Sequence, residues 1–413
     1  MAGKWWVASA GNSSHNCLMN HIYLDHNSTT PTRPEVVEVM ARCYAAGYAN
    51  PASRHQPGQR VRRILEDARQ RVAEILGADL NCLKPDRLIF TSGGTEANNL
   101  AIFGITQAGL VRHGQVIVSS IEHASVLEPA EYLMELGWRL DTLRVDDLGV
   151  VQTDALESLL SPIRDTSPGG TGTGTRLVSV MLANHETGVL QPMEQLAALC
   201  RSAGVPLHTD AVAAAGKLPI NFRELGVTAL SIAAHKFQGP LGIGALIVRR
   251  DTTLTPMLFG GHQQEGLRPG TESVVLAVGM QTALELWQSE QDEHFHKLTA
   301  LRDRFESGLK AGRPGLIIHG EAVPRLPQTS NIAFPGLDGQ ILLLALDMAG
   351  VACSVGSACA SGSTELSPTL RAMGLSNEIV ASSLRFSLGA TTTEAQIDEA
   401  IVRILRVCRE LGE

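Results

Sequence analysis

Six short apolar runs lie between residues 87 and 248, and helix-length patterns fill most of the gaps between them. The runs are Arg87–Phe90, Val116–Val118, Leu177–Leu182, Pro206–His208, Leu230–Ala233 and Ile243–Val248. Strands that alternate with helices fold into a mostly parallel sheet with helices on both faces. Sheets of that kind carry their sites at the C-terminal ends of the strands. Among the helical patterns, Val61 to Leu76 has apolar residues at Val61, Ile64, Leu65, Ala68, Val72, Ile75 and Leu76. That 3.6-residue stripe predicts an amphipathic helix. Met193–Ser202 is a second example.

From about Pro269 the pattern changes to long helices over Val274–Phe305, a β segment at Asn331–Phe334 and a terminal helix. Thr393-x-x-Gln396 forms a capping box ahead of Ile397, Ile401, Ile404, Leu405 and Cys408. The expected organisation is an α/β domain over 21–269 and a smaller α+β domain over 270–413, with the first thirty or so residues packed on the latter. Residues 1–20 mix Trp5 and Trp6 with Ser, Asn and Gly and read as a disordered lead-in, with Met19 an alternative start. Arg164–Thr175, rich in Pro, Gly and Thr, reads as a surface insertion.

The formal net charge of −8 provides no basic footprint for nucleic acid or an anionic membrane. No apolar run reaches the roughly 20 residues of a membrane span. The seven cysteines (Cys17, Cys43, Cys82, Cys200, Cys353, Cys359 and Cys408) are odd in number and scattered, without a CxxC pair. They fit a reducing cytoplasm and exclude both a disulfide framework and a zinc ribbon; no metal site is expected.

Several strand ends carry candidate chemistry. Lys236 closes the apolar run Thr228–Ala234, and desolvation there favours the neutral amine that condenses with an aldehyde. Asp210 ends a neighbouring strand, where a carboxylate keeps a pyridine nitrogen protonated. Gly93-Gly94-Thr95 lies between a strand and a helix, the arrangement that directs backbone N–H groups at an anion; a plain capped turn has the same composition. His123, after the 116–120 strand, is placed to lie on an aromatic ring, or is a packing histidine. Asn184 in Asn184-His185-Glu186-Thr187-Gly188 is placed to bond a ring hydroxyl or a substrate carboxylate, or closes a turn. Cys359 sits in the Gly/Ser/Ala loop 354–363 as a nucleophile or an inert thiol. Arg385 in Arg385-Phe-Ser pairs with a carboxylate, the protein's own or a substrate's.

Together and in this order these motifs, with Tyr23 to Pro31, His208-Thr-Asp210, His235-Lys236 and Arg268-Pro-Gly-Thr271, resemble one family over about residues 21 to 410. The chain resembles a cysteine desulfurase of the iron–sulfur-cluster class, within the class-V aminotransferases of pyridoxal 5'-phosphate (PLP) fold type I. The resemblance implies PLP held covalently by Lys236, paired with Asp210, stacked by His123 and contacted by Asn184. It implies a phosphate bound by Gly94, Thr95 and His235, with Thr271 supplied by the second subunit of a homodimer. Arg385 and Asn184 would bind L-cysteine, and Cys359 would take its sulfur as a persulfide and pass it to an acceptor such as an iron–sulfur scaffold protein. Transient ligation of a cluster by Cys359 is a further implied role.

Three positions depart from the pattern. Ala213 replaces a usual glutamine, Ala233 a usual serine and His185 a usual asparagine. The first two remove hydrogen bonds of roughly 1 kcal/mol each from the cofactor. A selenocysteine lyase with nearly the same residues and a PLP-binding scaffold without turnover are the competing readings.

Overall fold

The computed structural model describes residues 21–110, 113–160, 174–356 and 366–412. The lead-in 1–20, most of the Arg164–Thr175 insertion and the loop residues 357–365, Cys359 among them, lie outside the described residues. The strands are β1 (Ile22–Tyr23), β2 (Arg87–Thr91), β3 (Gln115–Ser119), β4 (Arg139–Leu143), β5 (Thr175–Ser179), β6 (Leu207–Asp210), β7 (Ala229–Ala233), β8 (Gly244–Val248), β9 (Ile317–Ile318), β10 (Thr329–Ala333), β11 (Val351–Ala352) and β12 (Ser383–Ser387).

Seven of them form the central sheet in the order β2-β8-β7-β6-β5-β3-β4, parallel throughout except for β8, which runs against both of its neighbours. All six apolar runs became strands of this sheet. β4 gave no apolar signal because this edge strand is mostly unburied: of Arg139-Leu-Asp-Thr-Leu143 only Leu143 is buried. Alternation along the strands supplies both faces. Leu88, Phe90, Ile117, Val178 and Leu230 enter one apolar cluster, whereas Ile89, Val116, Val118 and Leu177 enter another with Leu100 and Ala101 of the Gly94–Thr106 helix. The predicted amphipathic helix spans Gln56–Ile75 and buries Val61, Leu65, Ala68 and Val72.

A polar ladder crosses the middle of the sheet. His208, fully buried on β6, bonds Ser179 on β5 at 2.8 Å and Ser231 on β7 at 2.9 Å. Burial pushes its imidazole down to about 3, so it stays neutral and joins the two hydroxyls. The ladder fixes β6 against β7 two residues before Asp210, which is where the site begins.

A third cluster gathers Ile22, Leu24, Ile332, Phe386 and Ile404 around the antiparallel strands β9, β10 and β12. β1 pairs with β11, so Ile22 and Leu24 belong to this cluster. One helix, Val274–Gly312, joins the first and third clusters: its Ala277, Met280, Leu284 and Trp287 pack in the first, and its Leu298, Leu301, Phe305 and Leu309 in the third. The passage from one cluster to the other falls inside this helix, between Trp287 and Leu298, where the continuous helix carries no glycine or proline. The Thr393–Gln396 capping box forms, with both reciprocal bonds in place at 3.0 and 3.2 Å. No helix among the described residues is long and apolar enough to cross a membrane.

Candidate active site

Asp210 ends β6 and Lys236 lies in the short 3-10 turn Ala234–Phe237 that follows β7, so both leave adjacent parallel strands at the same edge of the sheet. The Asp210 carboxylate is buried and fixed on both oxygens. It accepts from Asn98 Nδ2 at 2.7 Å and from the Val212 N–H at 2.8 Å. Asn98 also donates to Ser125 Oγ at 2.8 Å, and Ser125 Oγ is 2.7 Å from His123 Nδ1. A continuous hydrogen-bonded chain thus connects His123 with Asp210. Sequence reading passed over Asn98, although a polar residue between Ala97 and Ala101 on a buried helix face is a signal of a required hydrogen bond.

The helix Gly94–Thr106 begins beside this chain without a side-chain cap, leaving its first amides to another acceptor. Gly94 is packed tightly: a Cβ there would stand 2.8 Å from Val212 Cγ2 and 3.5 Å from the Ala233 methyl. The exposed Thr95 follows in the first turn. His235 Nδ1 lies 3.1 Å from Thr29 Oγ1, and burial with the nearby Lys236 charge pushes the imidazole down to about 4. Lys236 Nζ donates to the carbonyls of Asn27 and Ser28. Thr271 lines a cavity of about 130 Å³ with Thr91, Ser92 and Arg268 of its own chain.

Arg385, 2% exposed, donates from Nη2 to Asp25 at 2.8 Å and Ser28 Oγ at 2.7 Å, and from Nη1 to the carbonyls of His185 and Gly356 at 3.2 Å each. Its carboxylate partner within the chain is Asp25. The Asn184 side chain is fully buried: its Oδ1 accepts from the Glu186 and Thr187 amides, which closes the turn after β5, and its Nδ2 donates to the Ile121 carbonyl at 3.2 Å. The residue of this turn that meets the site is His185. Its ring stands edge-on to His123 at 5.4 Å, and burial together with the positive charges of His123, Arg385 and Lys236 holds it well below the usual imidazole range.

Two buried acids complete the surroundings. Glu122 accepts from Met181 N at 2.8 Å and from Ser119 Oγ, and burial, reinforced by the Asp210 charge, pushes it up to about 8. Glu186 accepts from Ser367 Oγ at 2.6 Å, and a Cβ on Gly356 would stand 2.3 Å from its Oε2. Gly356, just before residues 357–365, and Ser367, two residues after them, therefore both lie against Glu186. Among the described residues no His, Cys, Asp and Glu side chains group to hold a metal ion.

The aminotransferase class-V family matches residues 22–400. The chain belongs to the class-V aminotransferase family. Among curated members, the cysteine desulfurase IscS of Dictyoglomus turgidum is 39% identical over 394 residues, 95% of this chain and 96% of that protein. A NifS-like protein from Rickettsia africae superposes with a TM-score of 0.82 at 31% identity, covering 94% of this chain and 99% of that one. The structure of SspA in complex with cysteine gives a TM-score of 0.75 at 30% identity over 89% and 98%. The uncapped helix start lies beside the ends of β6 and β7, with Gly94 against Val212 and Ala233. PLP fits this donor set: free amides at a helix start suit a phosphate, and a fixed carboxylate suits a protonated ring nitrogen.

Proposed function

We propose that the protein is a PLP-dependent cysteine desulfurase, converting L-cysteine and the Cys359 thiol into L-alanine and a Cys359 persulfide. The observation that carries this reading is the sheet edge where Asp210 and Lys236 leave adjacent parallel strands beside the uncapped Gly94 helix start. When bound, PLP supplies an aldehyde for the lysine amine and an electron-poor ring that weakens bonds at the substrate α-carbon. Lys236 holds the cofactor and carries the substrate α-proton once its amine is released. Asp210, kept in place by Asn98 and the Val212 amide, pairs with the ring nitrogen. The Gly94 and Thr95 amides, the Thr95 hydroxyl and His235 hold the phosphate, and His123 covers the ring.

Arg385 binds the substrate carboxylate, sharing donors that serve Asp25 and Ser28. The Cys359 thiolate attacks the substrate sulfur: the carbon–sulfur bond breaks, a sulfur–sulfur bond forms, and the proton balance is restored on alanine. A second copy of the chain contributes Thr271, and the persulfide passes to a sulfur-acceptor protein such as an iron–sulfur scaffold in the cytoplasm. The free thiols of Cys43, Cys82, Cys200, Cys353 and Cys408 support a reducing compartment.

The deciding experiment loads the purified protein with PLP and measures alanine, sulfide and persulfide from L-cysteine, with L-selenocysteine in parallel. Alanine and persulfide formed in step are expected. Release confined to selenium would turn the reading to a selenocysteine lyase, and a protein that cannot be loaded with PLP would overturn it.

A further inference from the structure

Behind Lys236 stands a second lysine that no step above uses. The Nζ of Lys217, from the turn after β6, donates to the Lys236 carbonyl at 2.6 Å. The turn is clamped in place: Gly216 has φ +70°, and a Cβ there would stand 2.1 Å from Phe237 Cβ. Lys217 borders a cavity of about 20 Å³ whose lining includes His26, Gln238, His294 and Gly389 and contains no carboxylate. Among the described residues Lys217 makes no ion pair. Among the described residues, titratable groups near the two amines include His26 from the 25–30 turn, His185, His235 and, from the long helix, His294. Asp25, the carboxylate acting on His26, is engaged by Arg385.

We propose that Lys217 is a positioning residue for Lys236: its ammonium, tied to the Lys236 carbonyl, sets a second positive charge behind the reactive amine and keeps that amine uncharged. An uncompensated cation beside a lysine is a physical route to a neutral nucleophilic amine at ordinary pH. Burial and Lys236 likewise push Lys217 itself down to about 8, as two like charges must. The inference rests on Lys236 being the lysine that holds PLP.

The test follows visible absorbance against pH in PLP-loaded wild type, Lys217→Met, Lys217→Gln and Lys217→Arg. Met and Gln both remove the charge, and Gln keeps a donor for the carbonyl. The expected result is a titration midpoint raised by on the order of one pH unit in both, with Arg near wild type. Coloured Met and Gln variants with the wild-type midpoint would overturn the inference, as would a shift in Met alone, which would leave only the hydrogen bond. Wild type supplies a check independent of variant folding: its midpoint is expected below that of PLP linked to a simple alkylamine in water, and a midpoint at or above it overturns the inference. A wild type that takes up no PLP would instead sink the cofactor reading.

Discussion

Arg385 and Asp25, 360 residues apart, meet at 2.8 Å where β12 runs beside the segment that follows β1. The arginine is almost wholly buried, and Asp25 is the carboxylate that balances it. Removing one partner of such a pair leaves a charge in low dielectric, at a cost of roughly 3 kcal/mol. Asp25→Asn is expected to lose about that much unfolding free energy, seen as a lower urea midpoint with an unchanged m value. Stability equal to wild type would show that the Ser28 hydroxyl and the two carbonyls suffice to hold the guanidinium.

Glu122 provides a pH signature. Its carboxyl sits near 8 in the folded protein, against about 4.3 for an exposed glutamate. The folded state therefore holds the proton more tightly than the unfolded chain, and stability falls as pH rises from about 4.3 through about 8. Glu122→Gln keeps the shape and the acceptor for Met181 and Ser119 but cannot titrate. Urea unfolding between pH 5 and 8 should show a shallower decline in the variant; parallel curves would place the proton elsewhere.

Ala233 stands at the helix start that suits a phosphate, its methyl 3.5 Å from the position a Gly94 Cβ would take. Ala233→Ser restores a donor worth about 1 kcal/mol, equivalent to about fivefold in retention. PLP loss from the loaded protein, followed by absorbance during exchange, should slow by that factor. Unchanged loss would mean that the alanine costs the site nothing.

Cys359→Ser should keep the colour change on adding L-cysteine yet release no alanine under turnover. Full alanine production would move the nucleophile, with Cys353 the first alternative by position. Burial, with Asp25 adding to it, holds the Cys353 thiol far above the usual range, which argues against a thiolate there. Persulfide mapping of the variant would separate the two.

The candidate site was legible where its residues close strands. Asp210, Lys236 and His123 each follow a β-prone run, and sheet topology of this kind delivers strand ends to one edge. Asn184 was harder. The same Asn-x-Glu-Thr-Gly pattern serves a turn or a ligand, and only the path of the chain after β5 turned its oxygen inward and His185 toward His123. Glu122 and Lys217 left no periodic trace, since a single polar residue near an apolar run reads the same whether solvated or enclosed.

The chain itself, through alternating apolar runs and helix stripes, determined the layered α/β sheet, because that feature rests on local periodicity and on the handed geometry of strands and helices; the order of its strand-end motifs carried the resemblance to its family. Tertiary packing alone decided which polar groups are satisfied from within. Asp25 claiming Arg385, the Asn98–Ser125 link from His123 to Asp210, and Lys217 behind Lys236 all join residues distant in sequence, and their energies depend on burial that exists only once the cores have closed.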